Sequence, residues 1–178
     1  MKKQLLSFAA IILIAGFSTK MMAQTTNTDS ATSDAFATIV SPISITHDGI
    51  DLEFGTIISG VGTVTVTTGS VRSFTVAAMN PGDQGATPTA AVFSVAGQPN
   101  YTYSIAFTNA TETLTETGFD TMSAGTFVAS TLSEGIGAVG TLDGSGDDTL
   151  NVGATLTVTA GLNTGLYTGS FEVTVAYN

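Results

Sequence analysis

The chain has 178 residues, with 4 basic and 14 acidic side chains and no cysteine. The lack of cysteine excludes disulfides and a thiol nucleophile. Lys2, Lys3 and Lys20 lie near the start, so Arg72 is the only Lys or Arg beyond residue 20. A single fixed positive charge cannot neutralise a phosphate backbone. For the same reason, binding to an anionic lipid surface is disfavoured. We therefore expect no nucleic-acid binding.

The first 23 residues have the pattern of a cleaved signal peptide. Two lysines precede an apolar run, Leu5–Phe17, and a small residue, Ala23, stands before the expected cleavage point. The run is shorter than the roughly 20 apolar residues that span a bilayer. The pattern predicts export to the periplasm, the cell surface or the extracellular space, with no stable membrane insertion.

Residues 24–34, QTTNTDSATSD, are polar and have no apolar periodicity. Such a composition is typical of a flexible lead. The remaining residues, 35–178, are enough for one ordinary domain with its own core. We predict a signal peptide (1–23), a polar lead (24–34) and one domain (35–178).

Short apolar–polar alternation separated by turn residues dominates this domain. The predicted strands are Ala35–Ile45, Ile50–Phe54, Gly62–Thr68, Val71–Ala78, Ala91–Gly97, Tyr101–Thr108, Thr126–Leu132, Leu150–Ala160 and Tyr167–Tyr177. Gly69-Ser70 and Gln98–Asn100 are predicted turns, and Met79–Thr89 and Glu116–Gly125 are predicted long loops. No window has helical periodicity. The pattern predicts an all-β fold, a single antiparallel immunoglobulin-like or pilin-like β-sandwich.

Few residues suited to nucleophilic catalysis are present. His47 is the only histidine and no lysine follows Lys20, so we expect neither a Ser–His–Asp triad nor a Ser–Lys dyad. Glycoside hydrolysis by a pair of carboxylates is not excluded, because a chain with many acidic residues always contains some pair. No particular pair is indicated by the sequence. We predict that the protein is not an enzyme.

One loop has the composition of a cation site. Asp143, Ser145, Asp147 and Asp148 place oxygen ligands in a glycine-rich stretch, DGSGDD, as a calcium loop does. The EF-hand pattern is incomplete, because no glycine follows the third ligand and no glutamate closes the loop. A calcium site and a flexible acidic hairpin connection both stay open, and no other cofactor is predicted. His47, beside Asp48 and Asp51, is predicted as a turn residue rather than a metal ligand.

The stretch GLYTGSFEVTVAYN, residues 165–178, has the strongest alternation in the chain. Its apolar face consists of Tyr167, Phe171, Val173, Val175 and Tyr177, with glycines at Gly165 and Gly169. Burying each large side chain contributes roughly 1.5–3 kcal/mol, so this face must be covered. Either the domain's own sheet or a partner covers it.

Three segments carry a resemblance to a known family. LEFG (Leu52–Gly55), FSVAGQPNYTYSI (Phe93–Ile105) and NVGATLTVTAGLNTGLYTGSFEVTVAYN (Asn151–Asn178) resemble the bacterial family called domain of unknown function 4402. That family is secreted, occurs in Gram-negative bacteria and has no established activity. The resemblance therefore implies export and a fold without naming a function.

A more distant similarity is to the spore-coat-U-type pilins of chaperone–usher systems. It rests on Leu52–Gly55, on Met122, and on the final run, in which Gly165 is fourteenth from the end and Tyr177 is penultimate. The similarity implies a subunit completed by strand donation, with copies of itself or related subunits and a periplasmic chaperone as partners. Such pilins commonly have a disulfide, which this chain lacks, and the polar lead moves the candidate donor strand to Ala35–Ile45. The alternative is a self-contained monomeric β-sandwich that binds a ligand or calcium through its loops.

Overall fold

A computed structural model describes residues 28–178. The predicted signal peptide and residues 24–27 lie outside this range. The chain divides between Thr38 and Ile39. Residues 28–38 contain no strand or helix and are exposed, and all strands belong to Ile39–Asn178.

The described part is all-β, and two antiparallel sheets form a sandwich-like single domain, as the sequence predicts. The strands are β1 (Ser44–Ile50), β2 (Gly62–Val66), β3 (Arg72–Phe74), β4 (Ala91–Ala96), β5 (Thr102–Phe107), β6 (Thr111–Thr115), β7 (Thr121–Thr131), β8 (Gly135–Ile136), β9 (Val139–Thr141), β10 (Asp147–Val158) and β11 (Val173–Tyr177). A single 3₁₀ turn, Ala77–Met79, lies between β3 and β4. No described segment forms a helix that is long and apolar enough to cross a membrane.

Strand β10 organises the large sheet. Its first half pairs with β4 and its second half with β2, while β7 pairs along its other edge. Beyond these, β1 pairs with β4, β3 with β2, and both β6 and β8 with β7. The small sheet has the order β11-β5-β9. A central strand with a partner on each side is consistent with the continuous apolar face of β10.

The core follows the two-residue period of β10. Alternate side chains from Leu150 to Val158 are buried and divide between two clusters. Leu150 and Val152 pack with Tyr103 and Ile105 of the small sheet. The later residues of the strand pack with Phe54 and Met79 instead. Segments between the strands therefore help to cover the half of the large sheet whose side chains form the second cluster.

Several predicted boundaries are wrong. The large sheet begins at Ser44, so Ala35–Ile43 is not strand. Of the predicted strand Ile50–Phe54, Ile50 ends β1 and the rest makes only an isolated bridge, Glu53 to Thr89. The second half of the predicted loop Glu116–Gly125, from Thr121 onward, belongs to β7 and pairs with β6. Strands β6, β8 and β9 were not predicted, because they are short or rich in threonine and glycine and lack alternation of large apolar residues.

Two turn predictions have clear outcomes. Ser70 and Asn100 adopt positive φ values of 61° and 63°, and each lies in the turn predicted for it. His47, predicted as a turn residue, lies instead in β1, where the pairing with β4 becomes irregular between His47 and Ile50. Its Nε2 is 2.9 Å from the Ile50 carbonyl oxygen and 3.5 Å from a carboxylate oxygen of Asp51.

Candidate assembly edge

Strand β11 has one paired edge and one open edge. It pairs with β5 in the register Val173–Phe107 to Tyr177–Tyr103. The Thr108 N–H donates to the Glu172 carbonyl at 3.1 Å, and the Asn178 N–H donates to the Thr102 carbonyl at 3.2 Å. Antiparallel pairs alternate between bonded and non-bonded positions, so the even-numbered residues of β11 face β5. The backbone groups of Val173, Val175 and Tyr177 therefore point away from β5.

Within residues 28–178, no strand pairs with this outward edge. The nearest element of the large sheet is β1, which pairs only with β4 and is also an edge. Ile45 of β1 and Val175 of β11 pack against the same core cluster. The two unpaired edges thus border one seam between the two sheets, which we call the β1–β11 seam.

The apolar side chains predicted to form one face of the last strand contact residues of both sheets. Val173 is buried, and Phe171, Val175 and Tyr177 are half-buried against the core. The Phe171 ring lies between Phe93, at 6.1 Å and edge-on, and Phe127, at 5.1 Å and stacked. Aromatic pairs of this kind add stability beyond their buried area. Phe171 therefore ties the segment before β11 to the large sheet.

The segment around Tyr167 leaves the predicted strand. Thr168 exchanges two backbone hydrogen bonds with Thr115 at the end of β6, at 2.8 and 3.0 Å. A Cβ on Gly169 would lie 2.6 Å from the Thr113 carbonyl oxygen, so only glycine fits this close approach. Tyr167 donates from its hydroxyl to the Asn163 carbonyl at 2.9 Å. The predicted strand Tyr167–Tyr177 is thus two pieces, one beside the large sheet and one in the small sheet.

Gly165 has a different neighbour. A Cβ built on it would lie 2.7 Å from the Cγ of Glu116, a side-chain atom that can move. Gly165 is therefore under weaker steric restriction than Gly169.

Tyr177 forms a clasp at the end of the seam. Its hydroxyl accepts a hydrogen bond from the Gln98 N–H at 2.6 Å and donates to the Ser41 carbonyl at 2.8 Å. The Ser41 N–H in turn donates to the Gln98 side-chain oxygen at 3.1 Å. A Cβ on Gly97 would collide with this hydroxyl. The clasp joins β11, the β4–β5 turn and the residues just before β1.

Changing Tyr177 to Phe is expected to lower the free energy of unfolding by about 1–3 kcal/mol. The change removes two hydrogen bonds and keeps the ring, and each such bond contributes about 0.5–1.5 kcal/mol. Urea denaturation of the monomer measures the difference. Tyr101→Phe is the matched control, since the Tyr101 hydroxyl has no hydrogen-bond partner among residues 28–178 while its ring contacts Tyr177 edge-on at 5.5 Å. Equal losses in the two variants would contradict a role for the clasp.

The four residues of the candidate calcium loop have different surroundings. Asp148 is buried and accepts hydrogen bonds from the Tyr103 hydroxyl at 2.9 Å and the Ser133 hydroxyl at 2.7 Å. Asp143 accepts from the Ser145 and Asp147 N–H groups at 2.7 and 3.0 Å. These backbone N–H groups, that of Asp147 first, hold the pKa of Asp143 below its usual range.

The side chains of Ser145 and Asp147 make no hydrogen bond within residues 28–178; their backbone N–H groups donate to Asp143, and the Asp147 carbonyl accepts from the Asp143 N–H at 3.0 Å. In that same range, no three His, Cys, Asp or Glu side chains are placed to hold one metal ion. Calcium binding stays a prediction. Alternation could have indicated the inward side chain of Asp148, because this residue precedes Leu150 by two positions on the same face of β10.

The family described as Domain of unknown function (DUF4402) matches residues 43–177. The chain belongs to this family. The matched region begins one residue before β1 and ends with β11, so it contains both edges of the seam. No curated protein and no solved structure matches the chain.

Proposed function

We propose that this DUF4402 protein is a non-enzymatic structural subunit, exported to the cell surface, that is completed by a strand from another copy or a related subunit. The observation that carries the proposal is the open edge of β11. A strand entering the β1–β11 seam would pair with the outward groups of Val173, Val175 and Tyr177. Main-chain bonds of this kind supply affinity, and pockets for alternate side chains supply specificity.

Other edges in the described sheets are less suited to accept a strand. The edge strands β3 and β9 have 3 residues each and β8 has 2, whereas β11 has 5. Part of the edge of β6 is occupied by the Thr115–Thr168 bridge. An exposed strand edge also promotes unwanted pairing. A periplasmic chaperone that covers β11 before assembly would prevent this pairing.

The donor in this proposal is the part of the segment before β1 that precedes Ser41, which the Tyr177 clasp holds to its own domain. Residues 35–43 form no strand in the described chain. Phe36 and Ile39 are 93% and 97% exposed, which leaves two large apolar side chains without cover. Inserting such side chains into a partner would contribute roughly 1.5–3 kcal/mol each.

The first test compares gel mobility with and without heating. The chain from Gln24 onward is expected to give a ladder on a denaturing gel that collapses on boiling. Phe36→Ser with Ile39→Ser should reduce the ladder to monomer. Phe119→Ser is the matched control, because Phe119 is 87% exposed in the β6–β7 turn. A single monomer band for the unmodified chain would favour the self-contained monomeric sandwich and contradict the proposal.

A second test measures amide hydrogen exchange at the open edge of β11. In the monomer, the N–H groups of Thr174 and Ala176 are expected to be protected by β5, whereas that of Val175 exchanges fast. Assembly should protect Val175 as well, since an added strand bonds the outward groups. Protection of Val175 that is the same in monomer and polymer would contradict strand addition at this edge.

A further inference from the structure

A polar cleft lies on the large-sheet side of the domain, away from any role in the proposed assembly. Its volume is about 380 Å³, and its lining includes Arg72 and Phe74 of β3 and, from the following loop, Asn80, Asp83, Gln84 and Thr87. Small-ligand sites typically measure roughly 300–1,000 Å³. The cleft is thus large enough for a small ligand.

Arg72 has only part of its hydrogen-bonding capacity in use. Its Nη1 donates to the Phe54 carbonyl at 3.1 Å and the Thr56 carbonyl at 3.0 Å, and its guanidinium carbon lies 4.9 Å from the centre of the Phe74 ring. These contacts hold the guanidinium in one place. Its Nε and Nη2 groups have no acceptor within residues 28–178, and in that range no carboxylate pairs with it.

This cation is unusual in so acidic a chain. Arg72 is the only Lys or Arg beyond residue 20, although the chain has 14 acidic residues. An arginine with a free planar fork is suited to bind a carboxylate through two parallel bonds. The missing partner at Arg72 therefore points to a carboxylate that the ligand supplies.

The loop opposite Arg72 is held by its own hydrogen bonds. The Asn80 side-chain oxygen accepts from the Gly82 N–H at 3.0 Å, and the Thr56 hydroxyl accepts from the Ala86 N–H at 3.0 Å. Asp83 and Gln84 lie between these two anchors and are exposed. A loop that is already ordered loses less entropy when a ligand binds.

The geometry points to a binding site for an acidic saccharide in the Arg72 cleft. The sugar carboxylate pairs with the free side of the guanidinium, and ring hydroxyls bond to the Asn80 and Gln84 amides and to the Asp83 carboxylate. A simple anion would leave these polar groups unused. A saccharide uses both the cation and the hydroxyl-binding groups.

Isothermal titration with three probes tests this inference on the chain from Gln24 onward. Glucuronate is expected to bind, and glucose, which has the same ring without the carboxylate, should bind at least about tenfold more weakly, the usual effect of losing a bond to a charged group. Acetate should also bind more weakly than glucuronate. Added salt should weaken glucuronate binding. No binding of glucuronate, or equal binding of glucose or acetate, would overturn the inference.

Two variants locate the site. Gln84→Ala changes an exposed loop side chain and should weaken glucuronate binding without changing the melting temperature. Arg72→Lys keeps the charge but loses the fork, and it should weaken binding at least about tenfold. Asp51→Asn is the control, since its carboxylate is exposed and lies outside the cleft. Unchanged affinity for glucuronate in both Gln84→Ala and Arg72→Lys would exclude this cleft as the binding site. Neither result affects the gel ladder, which tests the proposed strand donation.

Discussion

Replacing Leu150 with alanine is expected to lower the free energy of unfolding by about 2–5 kcal/mol, the usual cost of removing a large buried side chain. Leu150 is 0% exposed and lies on β10 between its partners Phe93 of β4 and Thr131 of β7. Neighbours on both sides restrict collapse around the lost side chain, so a cavity would remain. Domains of this kind have a total stability of about 5–15 kcal/mol, which makes the loss a large fraction.

Urea denaturation of the monomeric protein measures this effect. Leu166→Ala is the matched control, because Leu166 is 75% exposed and its truncation should change stability by no more than about 0.5 kcal/mol. A loss below 1 kcal/mol for Leu150→Ala would mean that the packing around β10 relaxes, in contradiction to the tightly packed cluster described above.

Changing Tyr103 to Phe is expected to cost about 1.5–3 kcal/mol at neutral pH, the range for a hydrogen bond to a charged group. Tyr103 is 0% exposed, and its hydroxyl donates to the buried Asp148 carboxylate at 2.9 Å. The variant leaves Asp148 with the Ser133 hydroxyl and its neighbouring backbone N–H as donors. The loss reflects a buried acceptor that no longer has all its partners.

The buried Tyr103 hydroxyl also leads us to expect that the free energy of unfolding changes at alkaline pH. Burial first, and then the hydrogen bond and charge of Asp148, raise the pKa of Tyr103 well above its ordinary value of 10.0. Above about pH 10 the unfolded chain therefore loses this proton while the folded chain keeps it, so stability falls as pH rises. Tyr103→Phe should flatten this decline, and Tyr101→Phe should not. Equal alkaline slopes in the unmodified protein and Tyr103→Phe would contradict the assignment.

Alternation predicted the strands that carry the core. The β2–β3 hairpin, β4, β5 and β10 all lie within or close to predicted segments, because their large apolar residues recur every second position and face one cluster. The strands without that signal were missed. The β6 sequence TETLT has a single large apolar residue, and β6 forms by pairing with β7 rather than by its own propensity.

The site was predicted in part. Alternation indicated that Phe171, Val173, Val175 and Tyr177 contribute an apolar face, and all four contact the core. It did not indicate that Tyr167 turns to Asn163 or that Thr168 bridges to β6. The Tyr177 clasp joins residues 136 positions apart in the chain, and no local pattern encodes such a contact.

The sequence by itself determined the fold class, the periodic faces of the main strands and the absence of disulfides. These properties follow from residue type and two-residue spacing, which act locally. Only the tertiary structure decided which edge of β11 stays open, that the Tyr103 hydroxyl is the donor to Asp148, and that Arg72 has no acidic partner among the described residues. Each of these depends on which distant segments meet. The pairing of strands is set by the packing of the whole domain rather than by the alternation of any one strand.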